Sequence, residues 1–123
     1  VSSDMREITV AAKQGNEKAI LSLEMYEQRI TKYVGAFAAE MGGVDIIVFT
    51  GGVGEHQSST RANVCNPLRF MGVEIDDAAN DANNGDEGII STPNSAVKVV
   101  VIPTDEEYMI AKDTEAIIEG REP

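Results

Sequence analysis

Residues 44–56 constrain this chain more than any other stretch. Val44-Asp45-Ile46-Ile47-Val48-Phe49-Thr50 is a short β-branched run that passes directly into Gly51-Gly52-Val53-Gly54. A strand with so little polar alternation is covered on both faces, and its natural host is a parallel α/β sheet with flanking helices. The glycines then turn the chain without Cβ obstruction, and Ser58, Ser59 and Thr60 offer N-caps for a helix running to the Asn66-Pro67 break. The resulting unit is strand, glycine turn, helix.

The remaining segments fit around that unit. Asp4 with Glu7 three residues later predicts a capped helix that starts at Asp4 and ends near Gln14-Gly15. From Asn16 to Met41, apolar residues Ile20, Leu23, Ile30, Tyr33, Val34, Phe37, Ala38 and Met41 recur at mostly helical spacings and predict one long amphipathic helix, stopped by Gly42-Gly43. Phe70 to Ile75 reads as a second strand, and 76–88 has loop composition with at most a short helix. Ile89-Ile90-Ser91 and Val97 to Ile102 read as strands around a Pro93-Asn94 turn, and Pro103-Thr104-Asp105 leads into a final helix over 106–119. With 123 residues and no repeat or clear linker, the chain is expected to be a single unit. It begins at Val1 without a methionine, which is expected of a processed product or of a piece of a longer protein.

Ten basic against twenty-one acidic residues give a net charge of -11, which disfavours nucleic acid and anionic membrane surfaces as partners. The same charge opposes binding of an anion unless backbone N–H groups, a divalent cation or placed basic residues supply local positive potential. Cys65 is the single cysteine, and neither a signal segment nor a bilayer-length apolar run is present, so a reducing cytoplasm is the expected location.

Three segments could carry chemistry. Phe49-Thr50-Gly51-Gly52-Val53-Gly54-Glu55-His56 stands where a buried strand emerges and a helix begins, the place where open α/β sheets bind ligands. Glycine there admits a nucleotide close to the backbone, and the helix start adds free N–H groups; the same turn also serves where glycine merely permits positive φ. In Val99 to Glu107, an apolar strand leads to a helix start carrying Asp105, Glu106 and Glu107. Such acids complement a helix dipole, or one of them holds Mg²⁺. In Ser2-Ser3-Asp4-Met5-Arg6, the carboxylate and guanidinium could grip a ribose and a base or phosphate, or form only a helix cap. His56 has no obvious nucleophile partner and reads as a polar loop residue, Cys65 as a buried thiol, and Tyr26, Tyr33 and Phe37 as core or interface.

In order and separation these three segments resemble the C-terminal part of acetate kinases, which carry Ser-Ser-Asp-x-Arg, Phe-Thr-Gly-Gly-Ile-Gly-Glu-Asn and Ile-Pro-Thr-Asn-Glu-Glu. Arg61-Ala62-Asn63-Val64-Cys65 and the stretch from Leu68 to Asp76 are similar too, so the resemblance covers nearly the whole chain. It implies an α/β fold, the C-terminal portion of an actin and sugar-kinase-like (ribonuclease H-like) domain with a mixed sheet and flanking helices. It also implies a homodimer, with ATP or ADP and acetate or another short carboxylate as ligands of the full-length enzyme. By matching positions, Asp4, Met5 and Arg6 are expected near the adenosine, Gly52, Val53, Gly54, Glu55 and His56 in the second nucleotide loop, and Glu106 at Mg²⁺. His56 and Asp105 depart from the family's usual asparagines. The family's N-terminal phosphate-binding segment and its transition-state arginine and histidine precede the matched region. The chain alone is therefore expected to be inactive, and propionate or butyrate kinase and a non-catalytic nucleotide-binding or dimerisation module remain the alternatives.

Overall fold

The computed structural model describes residues 2–51, 54, 56–103 and 116–119, with the side chains of 2–6 and 116–119 excepted. Helix α1 (Ser2–Lys13) starts two residues before the expected Asp4 cap. It ends before Gly15, which at φ +90° takes a left-handed turn that a Cβ would strain. Asn16 then caps α2 (Glu17–Met41), its Oδ1 accepting the Ala19 N–H at 3.0 Å and so satisfying one of the orphan donors of the first turn. At the far end Gly42, with φ +78°, donates its N–H to the Ala38 carbonyl.

The single apolar face expected for α2 divides in two. Ile30, Val34 and Ala38 point inward, whereas Ile20, Tyr33, Phe37 and Met41 are exposed. Successive helical residues are rotated by about 100°, so Tyr33 and Val34, or Phe37 and Ala38, cannot share one buried stripe. Tyr26 packs partly buried against the core, while Tyr33 and Phe37 stack on each other outside it with ring centroids 6.3 Å apart.

Four strands form one mixed sheet in the order β2-β3-β1-β4: β1 (Ile46–Thr50), β2 (Gly88–Ile89), β3 (Lys98–Val101) and β4 (Ala116–Glu119). Strand β1 lies between two parallel neighbours, with Ile47 opposite Val99 on one side and Ala116 on the other, and β2 runs antiparallel to β3. Ile47, Val48, Phe49 and Thr50 are all buried, as a strand without alternation requires. Helix α3 (Ser58–Cys65) follows the glycine turn and continues as a 3₁₀ helix (Asn66–Met71); α4 (Asp77–Ala82) is the short helix allowed for in the acidic segment.

Two of the expected elements differ. The final helix does not run to Glu119, because Ala116-Ile117-Ile118-Glu119 forms β4 against the second edge of β1; two adjacent β-branched residues fill a ladder position better than a helix turn. Residues 106–115 of that expected helix lie outside the described residues. Phe70 to Ile75 is not a regular strand either. Pro67 sits in the first turn of the 3₁₀ helix, which keeps Phe70 out of any ladder, and after Gly72 (φ +97°) only isolated bridges form, Val73 to Val97 and Ile75 to Ser91.

Ile30 and Val34 from α2, Ile47 and Phe49 from β1, Val64 and Cys65 from α3, Leu68, Ile90, and Val99 and Val101 from β3 belong to one buried cluster. Ile47→Ala in its centre is expected to lower unfolding free energy by about 2–5 kcal/mol, since transfer and cavity terms add. Gly35 lies inside α2 and a Cβ there would meet nothing within 4 Å, so Gly35→Ala should raise stability by about 0.5–1 kcal/mol. Urea denaturation of both variants measures the two effects, and a destabilised Gly35→Ala would contradict the open space at that position.

Candidate functional site

At the carboxyl end of β1 the chain has a buried Thr50, then Gly51 at φ +78°, then a buried Gly54 just ahead of α3. Helix α3 starts after Gln57, which makes no side-chain capping bond; Ser58, Ser59 and Thr60 are therefore its first turn and not the expected caps. His56 is exposed beside this corner, and its ring lies against Gly85, where a Cβ would come 2.5 Å from the imidazole Cε1. Gly85 has φ +103°, so both its conformation and its space call for glycine.

Arg61 organises the corner from beneath. It is fully buried, and its Nε donates to Asn80 Oδ1 at 2.7 Å while Nη1 donates to the Gly54 carbonyl at 3.1 Å. Nη2 donates to the carbonyls of Asn80 and Asn83 at 2.8 and 2.7 Å. Asn80, also buried, returns a bond from Nδ2 to the Ser58 carbonyl at 2.9 Å. Asn83 in turn shapes the segment under His56: its Oδ1 accepts the Gly85 N–H at 3.0 Å and its Nδ2 donates to the Asp86 carbonyl at 2.8 Å. A planar guanidinium can hold several carbonyls in a fixed fork, which an ammonium cannot. Burial draws the Arg61 pKa below its ordinary value, with Cys65 and Asp81 opposing.

The other side of α3 meets α2 through polar contacts. Thr31 Oγ1 donates to the Val64 carbonyl at 2.9 Å, and Asn63 Nδ2 donates to Glu27 Oε1 at 3.1 Å. Glu27 is only 5% exposed, and burial raises its carboxyl pKa above the usual value against the opposing pull of Thr60 and Asn63. Thr60 lies close enough to favour the carboxylate, although neither Glu27 Oε2 nor Thr60 Oγ1 attains hydrogen-bond geometry. Cys65 is buried and its thiol is pushed up to about 12 by desolvation, Arg61 acting in the opposite sense, so the inert reading of this cysteine holds.

Of the expected site residues, Gly54 and His56 come together at this corner. Asp4, Met5 and Arg6 lie on α1, which packs on α2; their side chains, and all of Gly52, Val53, Glu55 and Glu106, fall outside the described residues. Sequence reasoning missed Arg61 and Asn80. A signal for Arg61 was available, because Arg61, Val64, Cys65 and Leu68 share one helical stripe and a cation there needs buried acceptors. For Asn80 there was none, since it sits in a segment of Asp, Asn, Ala and Gly that reads as solvated loop.

A mixed α/β sheet whose central parallel strand ends in a glycine turn, with a helix start behind it, defines the class of domain that meets ligands at the carboxyl ends of its strands. A profile described as the Acetokinase family matches residues 1–112, and the chain belongs to that family. It is 59% identical over 118 residues to the acetate kinase of Porphyromonas gingivalis, covering 96% of this chain and 30% of that protein. A crystal structure of the P. gingivalis acetate kinase superposes with a TM-score of 0.80 at 59% identity, covering 91% of this chain and 28% of that one. A propionate kinase from Francisella tularensis superposes with a TM-score of 0.72 at 35% identity, over 90% of this chain and 28% of that one. The chain thus spans about 30% of the length of the curated relatives it matches. The fold agrees with the actin and sugar-kinase type expected for the family. Among the described residues no helix is long and apolar enough to cross a membrane.

The raised pKa of Glu27 makes its ionisation costly in the folded state. Between the unfolded value near 4.5 and the higher folded one, the native state binds more protons, so this group's contribution to stability falls as pH rises through that window. Glu27→Gln should remove that fall. Its stability relative to the natural protein should therefore increase with pH across the window and then level off, as urea titrations at stepped pH would measure; a pH-independent difference would contradict the assignment. Cys65 should resist iodoacetamide at pH 8 in the folded protein and react after denaturation, as mass spectrometry of the two samples would read.

Proposed function

We propose that this chain, a single unit over 1–123, is the C-terminal nucleotide-binding segment of an acetate kinase that transfers a phosphoryl group between ATP and acetate. The observation that carries the reading is the corner after β1: a left-handed Gly51, a buried Gly54 and the start of α3 in a chain of the acetokinase family. Gly52, Val53, Gly54, Glu55 and His56 form the loop along the nucleotide, and Asp4, Met5 and Arg6 hold the adenosine. Backbone N–H groups and the helix start offset the acidity of the chain at that one place. Glu106 offers a hard carboxylate oxygen that suits Mg²⁺, a cation that takes one or two carboxylates and keeps waters and substrate oxygens. When bound, Mg²⁺ neutralises charge on the phosphoryl oxygens; the residues of this chain bind and orient the nucleotide.

The whole enzyme is a cytoplasmic homodimer in this reading, and the segment alone is inactive because the acceptor pocket and the charges around the transferred group come from outside it. Propionate as acceptor is the second reading, supported by the similarity to the propionate kinase structure, since a segment without the acyl pocket fits either enzyme.

Calorimetry of the chain with ATP, with and without Mg²⁺, tests the binding step. Binding should strengthen with Mg²⁺ and weaken by about tenfold or more in Glu106→Ala, a loss of about 1.4 kcal/mol. Folded protein that binds neither ATP nor ADP would sink the proposal that the segment carries a formed nucleotide site.

A further inference from the structure

We propose that Arg61 is a positioning residue for the nucleotide loop: its guanidinium, seated on Asn80 and Asn83, holds the Gly54 carbonyl and thereby fixes the turn after β1. The inference rests on the nucleotide-binding reading above and adds to it a residue that never touches the ligand.

Burying a guanidinium carries a large desolvation cost, and an apolar residue of similar volume would stabilise the core at least as well. Here the charge is spent on carbonyls of irregular backbone: Gly54 on one side, Asn80 and Asn83 on the other. The arrangement therefore joins two segments that have no shared ladder. Holding the Gly54 oxygen at 3.1 Å fixes the backbone at a residue inside the stretch read as the nucleotide loop.

A second link runs through the same arginine. Asn83 accepts from Arg61 through its carbonyl and holds the Gly85 N–H with its side chain, and Gly85 is the surface on which the His56 ring lies. Gly54 and His56, two of the loop residues, are thereby tied to one buried cation. Asn80 keeps the guanidinium in register through Oδ1 and anchors itself to the start of α3 at the Ser58 carbonyl.

The test uses the full-length enzyme that carries this segment, with Arg61→Lys and Asn80→Asp, measuring kcat and the separate KM values for ATP and acetate in acetyl phosphate formation. Lysine keeps the charge and loses the fork; aspartate keeps an acceptor for Nε and loses the donor to Ser58. Arg61→Lys should raise the KM for ATP by about tenfold or more while the acetate KM stays within about twofold, with Asn80→Asp shifted in the same direction by less. Parallel changes in both KM values, or a fall in kcat matched by loss of folded protein alone, would show a merely structural arginine and overturn the proposal. If Arg61→Lys does not fold, Asn80→Asp decides by the same split, and an unchanged ATP KM in that variant overturns it. A natural enzyme that makes no acetyl phosphate from ATP would instead defeat the kinase reading on which the proposal stands.

Discussion

The structure depends on a strand that has no solvent-facing side. Ile47, Val48, Phe49 and Thr50 are all buried, so β1 requires a neighbour on each edge and cover on its faces before its backbone N–H and C=O groups and its side chains are satisfied. Parallel neighbours cannot be reached by a tight turn, and the chain returns to β1 only after long excursions, to Lys98–Val101 on one edge and Ala116–Glu119 on the other. Everything between is arranged by that demand. Helices α2 and α3 contribute Ile30, Val34, Val64 and Cys65 to the same cluster as Ile47 and Phe49, and the extended segment around Val73 is drawn in beside Val97.

Helix α3 is where packing and chemistry meet. One flank is stitched to α2 by Thr31, Glu27 and Asn63, and the other carries Arg61 into the space below the glycine turn. Both flanks bury ionisable groups, with opposite results. Glu27 is held with incomplete hydrogen bonding, and burial favours its neutral form. Arg61 cannot discharge, so the fold supplies carbonyls and an amide oxygen to its fork. The acidic segment after Ile75 gains a structural purpose from this: Asp76 caps α4 at the Ala79 N–H, and that short helix presents Asn80 to the arginine.

This arrangement also bears on how so acidic a chain could receive a polyanion. Net charge acts at long range and is screened by salt, whereas backbone donors at a turn act at contact. In the proposed reading the turn needs its backbone held still, and a buried cation that grips the Gly54 carbonyl does so without presenting another side chain to the ligand.

Much of this was legible in the residues themselves. The β-branched run, the glycines after it, Asn16 and Gly42 at the ends of α2 and the Asn66-Pro67 break after α3 are local preferences, set by steric and capping rules within a few residues, and the family resemblance likewise rests on short local segments. What only the tertiary structure decided is non-local. Ala116-Ile117-Ile118-Glu119 became a strand because β1 had an edge to fill, Tyr33 and Phe37 separated from Val34 and Ala38 because the core took one stripe of α2, and Arg61 found Asn80 nineteen residues away. Helical spacing and β-propensity are written in neighbouring residues; the acceptors that make a buried arginine tolerable come from another part of the chain, and only folding brings them to it.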